Sequence, residues 1–70
     1  MIYETTKIYR DIDGTEQEFE VRVGLGFDTY GMVVIEESTV AGQNFDLTLP
    51  EHRELTSHYR AMQRRGGFND

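Results

Sequence analysis

Three carboxylates recur at every second position in "EQEFE": Glu16, Glu18 and Glu20. On an extended strand, alternate side chains leave the same face about 6.8 Å apart, so these three form a regular negative row. A row of this kind suits docking to a cationic surface through complementary charge. It equally serves to keep a sheet face solvated and to discourage edge pairing. The same parity continues through Arg22, Gly24 and Gly26, so the row of side chains gives way to bare backbone. Glycine inside a strand marks a bulge, a bend or the close approach of another group. Here the two glycines also offer a floor for an aromatic ring, such as that of Tyr3 on the neighbouring strand.

The full stretch "VGLGFDTYGM" superficially suggests a phosphate cradle. A cradle needs its glycines between a strand and a helix N-terminus, where backbone N–H groups converge on the anion. These glycines lead into "MVVIEESTV", which reads as another strand, and Asp28 beside them repels phosphate. Other reactive constellations fail as well. His52 and His58 lie six residues apart, about 240° around a helix, and cannot grip one metal from a single face. "DIDGTEQEFE" has its glycine too early for a calcium loop and continues as a strand. The serines and threonines form no nucleophile elbow, and cysteine is absent, which removes thiolate metal sites and disulfides. The chain therefore reads as non-enzymatic, with no cofactor and no metal.

The elements that must position the row are legible from periodicity. "IYETTKIYRDI", residues 2–12, is rich in β-branched and aromatic types and places Ile2, Thr6, Ile8 and Ile12 on one parity. Asp13-Gly14 is the signature of a two-residue type I′ hairpin. In "EQEFEVRVGLGF", Phe19, Val21, Val23, Leu25 and Phe27 alternate with polar residues without a break, the pattern of a half-buried strand. A two-residue loop sets Ile12 opposite Thr15, Ile8 opposite Phe19 and Lys7 opposite Glu20; a slip of one residue would set Ile8 against Glu20. A third strand is expected over Met32 to Val40, a turn over residues 41–44, and a short fourth strand in "FDLTL", residues 45–49.

Thr48 opens "TLPE", a Thr-x-x-Glu capping box with Pro50 in the first turn. The predicted helix covers about residues 49–65, acidic early and basic late. It ends at Gly66 and Gly67, with residues 66–70 a frayed tail. His52, Leu55, Tyr59 and Met62 form its narrow apolar stripe, which should lie over the Phe19, Val21, Val23 side of the sheet. The expected fold class is α+β: a single β-β-β-β-α domain over 1–70, an antiparallel four-stranded sheet followed by one C-terminal helix packed on one face.

A net charge of −6 over 70 residues opposes direct binding to nucleic acid or to an anionic membrane surface. The charge is uneven: all the acids but Glu54 and Asp70 fall in residues 1–51, against Lys7, Arg10 and Arg22, whereas four arginines follow. No apolar run approaches the roughly 20 residues that span a bilayer, and the opening residues lack a basic region followed by an apolar block. The expected location is cytoplasmic.

"YETTKIYRDIDGTEQEFEVRV" near the start and "DLTLPEHRELTSHYRAM" near the end resemble small acidic orphan proteins encoded by bacteriophages and prophages. The resemblance implies a protein-binding role, since some such proteins inhibit host proteins, including defence nucleases, while others are virion parts. If the chain is phage-encoded, its place is the host cell cytoplasm. No site residues come with the resemblance. The residues themselves propose Glu16, Glu18, Glu20 and Arg22, with Gly24, Gly26, Tyr3 and Tyr9 on the same face, as the surface for a partner. That partner is expected to be a protein with a basic surface or a second copy in a homodimer. The alternative expectation is a structural, self-assembling component.

Overall fold

Asp13 and Gly14 take φ values of 53° and 77°, the left-handed pair that a type I′ turn requires. In the computed structural model, which describes residues 1–66, this turn joins β1 (Ile2–Ile12) to β2 (Thr15–Phe27). Their antiparallel register sets Ile12 opposite Thr15, Ile8 opposite Phe19 and Lys7 opposite Glu20, as the charge and apolar pattern requires. β3 (Val33–Val40) pairs with the second half of β2, from Arg22 to Phe27. β4 (Gln43–Asn44) closes that side, and the sheet order is β1-β2-β3-β4. Because β3 covers only part of β2, the turn end of the β1–β2 hairpin extends as an arm, and the molecule measures 40 × 21 × 19 Å.

The expected strand over residues 45–49 is not what forms. Ala41 and Gly42 have φ of 51° and 81°, so they close a second two-residue turn and pairing resumes at once, with Val40 opposite Gln43. The ladder then stops after Asn44, and the chain bends inward. Phe45 donates its N–H to Ser38 O at 2.9 Å and accepts the Ser38 hydroxyl at 2.5 Å. Its ring meets that of Phe19 at 5.2 Å between centroids. The alternation of Phe45 and Leu47 therefore records a segment draped along the rim of the core, while Leu49 is left exposed.

α1 (Leu49–Arg64) begins at Thr48, whose hydroxyl accepts from Glu51 N while the Glu51 carboxylate accepts from Thr48 N, completing the capping box. It ends where Arg65 and Gly66 turn back on the last carbonyls, Gly66 with φ 75°. Of the tail expected over residues 66–70, residues 67–70 lie outside the described residues. Leu55 and Tyr59 are buried against Ile8, Val21, Val23, Leu25 and Val33, with Met62 packed beside them. His52 is exposed and does not join this stripe. It lies about 60° around the axis from Leu55, which turns it to the helix flank. The result is the expected α+β arrangement, with one face of the sheet covered by α1. Among the described residues, no helix is long and apolar enough to cross a membrane.

Candidate functional site

Strand alternation puts Tyr3, Thr5, Lys7, Tyr9 and Asp11 of β1 on the face away from α1, beside Glu16, Glu18, Glu20, Arg22, Gly24 and Gly26 of β2. The side chains among them are all exposed, so the hairpin brings every residue proposed from the sequence onto one surface. Its organisation is electrostatic. Lys7 Nζ lies 3.4 Å from Glu18 Oε2, diagonally across the two strands, and Arg22 lays its guanidinium over the Tyr3 ring at 4.0 Å from the centroid. Tyr9 stands opposite Glu18 and remains more than half exposed.

Asp11 lies directly opposite Glu16. Cross-strand neighbours of like charge destabilise a hairpin, and among the described residues neither takes part in an ion pair. The arm thus carries an unneutralised carboxylate pair at its end, followed by Glu18 and Glu20 along the same strand.

The two glycines have a use that strand alternation alone does not show. The register slips between Gly24 and Leu25, so that Gly24 opposes Glu37 and Leu25 opposes Ile35. The extra residue in this bulge is Glu36 of β3. A Cβ on Gly24 would meet Met1 Sδ and Glu37 Cγ, and one on Gly26 would collide with the Glu36 carboxylate. The bare backbone is therefore covered by two glutamates and Met1, while the Tyr3 ring is taken up with Arg22. Glu36 and Glu37 extend the acidic surface onto β3 and were not singled out by periodicity. The one local sign is "IEES", where two adjacent charges follow an apolar run in mid-strand, an arrangement that a bulge accommodates by bringing both to one side.

The opposite face is closed by two clamps. At the arm end, Arg10 donates from Nε to Glu51 Oε2 at 2.8 Å and from Nη2 to Glu51 Oε1 at 2.6 Å. It also donates to Asp46 O and stacks over Phe45. At the other end, Arg60 and Gln63 bind both backbone groups of Val33, while Gln63 also reaches Gly31 O. Tyr59 is buried and feels both Thr6 and the charge of Glu4 on β1. Burial pushes its phenol up, the Glu4 charge adds to that, and a hydrogen bond with Thr6 opposes it.

Among the described residues neither histidine is ion-paired with a carboxylate, although His52 lines a shallow cleft with Glu36, Glu37 and Asp46. The ring of His52 faces Thr56 Oγ1 at 3.5 Å, and that of His58 meets Tyr59 edge-on. The nearest cation to Asp28 is Arg60, 3.9 Å away. Among the described residues, no group of three or more His, Asp or Glu side chains is arranged to hold a metal ion. Compared with protein-family models, curated proteins and solved structures, the chain finds no match in any of the three.

Proposed function

We propose that this chain is a small non-enzymatic protein-binding module whose working surface is the acidic open face of the sheet, centred on the hairpin arm. The observation that carries this reading is the unneutralised opposition of Asp11 and Glu16. Stability alone would favour an opposite charge at one of those positions. A partner that brings cations to the arm converts this repulsion into attraction on binding. The partner class that fits is a protein with a basic surface, such as one that handles nucleic acid. Occupation of that surface would make the chain an inhibitor, because the same cations could no longer meet phosphate. The overall charge of −6 favours this over direct contact with nucleic acid or an anionic membrane.

The test compares capture by the native chain with capture by a Glu16→Gln, Glu18→Gln, Glu20→Gln variant at low and high salt, followed by titration of the purified partner. The expected result is a partner whose affinity falls at least tenfold in the variant and declines with salt. A partner held equally by both chains at both salt concentrations overturns the assignment.

A further inference from the structure

The two edges of the sheet are treated differently. At the β3 edge the backbone of Val33 is occupied by Arg60 and Gln63, and β4 covers Thr39 and Val40. The β1 edge runs for 11 residues with neither a proline nor a register shift, and among the described residues no strand lies beyond it. In a two-residue hairpin the residues flanking the turn form a hydrogen-bonded pair, so Ile12 and the other even residues of β1 turn their backbone groups toward β2. Tyr3, Thr5, Lys7, Tyr9 and Asp11 consequently turn theirs outward.

Long side chains commonly shield such an edge, yet here they are drawn away from it. Lys7 is held over β2 by Glu18, Tyr3 lies beneath Arg22 of β2, and Arg10 crosses the other face to Glu51. We infer that β1 is the interface of a twofold-symmetric dimer, in which it pairs antiparallel with β1 of a second copy, centred on Lys7.

Charge and burial select that register. Centring on Lys7 pairs all 11 residues, with Glu4 opposite Arg10 of the second copy and Ile2 opposite its Ile12. Glu4 takes part in no ion pair among the described residues and comes beside a guanidinium that Glu51 already holds, while Ile12, 44% exposed, gains an apolar partner. Centring on Thr6 instead sets Ile2 against Arg10 and Glu4 against Ile8, and leaves Asp11 and Ile12 unpaired. Centring on Ile8 sets Glu4 against Ile12. Any one-residue slip joins the covered face of one sheet to the open face of the other. The chosen register places the two Lys7 side chains at the axis, each already neutralised by its own Glu18. It gives about ten new backbone hydrogen bonds and an eight-stranded sheet with both helices on one side. The interface is self-complementary and closes on itself. It leaves the acidic face open and does not depend on the function proposed for it.

The experiment is the mass of the purified full chain by analytical ultracentrifugation from micromolar to millimolar concentration, without any other protein. The expected result is a reversible monomer–dimer equilibrium. Thr5→Pro, which removes one outward N–H without touching the β1–β2 ladder, should weaken it at least tenfold. Because the chain has no cysteine, single cysteines read the register independently. Lys7→Cys should oxidise to a disulfide-linked dimer. Thr5→Cys alone and Tyr9→Cys alone should not, whereas a mixture of those two should, because only aligned positions come within about 7 Å. A mass that stays monomeric, open-ended growth, or cross-linking indifferent to position overturns the inference.

Discussion

Arg10 and Glu51 are 41 residues apart in sequence and meet through two hydrogen bonds, fixing the first turn of α1 to the outer strand of the sheet. Their side chains are 28% and 19% exposed, so the pair is shielded more than a surface ion pair and is bidentate as well. Glu51 also caps its own helix through Thr48. One carboxylate therefore holds both the start of the helix and its position on the sheet.

This pair sets an acid limit on stability. The Arg10 hydrogen bond holds the Glu51 carboxyl down to about 2 from an ordinary value of 4.5, against the cost of burial and with help from Thr48. A depressed carboxylate contributes stability that is complete above its unfolded pKa and lost as pH falls through the folded value. The contribution should be full at pH 7 and fade between about 4.5 and 2. In urea melts, Glu51→Gln should cost on the order of 2 kcal/mol at pH 7. The gap between native and variant should close toward pH 2. A gap that stays constant over that range would show that the charge of Glu51 does not support the fold.

Gly24 and Gly26 should respond differently to alanine. At Gly26 the obstacle is the end of the exposed Glu36 side chain, which can swing into water. At Gly24, which is buried, it comprises Met1 Sδ at 2.5 Å and Glu37 Cγ at 2.7 Å, the latter close to the backbone of the bulged strand. Gly26→Ala should change the melting temperature little, since replacing glycine in a strand recovers part of the clash through chain entropy. Gly24→Ala should cost about 1–2 kcal/mol and be relieved by a second change, Glu37→Ala. Equal effects at the two sites would remove the bulge as the reason for glycine.

Much of the architecture follows from short-range chemistry visible in the chain. Asp13-Gly14 fixed a hairpin whose loop length dictated the register, and the Thr48–Glu51 spacing located the helix start. The fourth strand was misplaced because Ala41 is no usual left-handed residue, and its positive φ follows from the pairing on either side of it. The clamps were hidden for a different reason. Arg10, Gln63 and Arg60 lie 41, 30 and 27 residues from the groups they bind, and no local pattern distinguishes them from solvated polar residues. The acidic row itself was legible through alternation, whereas the addition of Glu36 and Glu37 depended on an irregular register.

Asp28 should prove essential to the β2–β3 loop. Its carboxylate accepts from Tyr30 N at 2.8 Å and Met32 N at 2.9 Å, while its own backbone bonds Gly31 and Met32. Asp28→Ala strands two donors and should cost about 1–2 kcal/mol. Asp28→Asn keeps an acceptor oxygen and should recover more than half of that loss. Chemical denaturation of the two variants checks the order, and an asparagine variant as weak as the alanine one would instead assign the effect to the charge near Arg60.

Glu16→Lys separates binding from folding on the arm. Facing Asp11, a lysine replaces cross-strand repulsion with attraction and should raise stability by about 0.5 kcal/mol at low salt, an increment that shrinks as salt screens it. The same change reverses the charge offered to a basic partner, so affinity should fall while stability rises. A general defect in folding moves both quantities downward. The urea midpoint and partner titration of this one variant therefore distinguish a surface kept for binding from one kept for the hairpin, and a loss of stability would remove the Asp11–Glu16 repulsion as evidence for a partner.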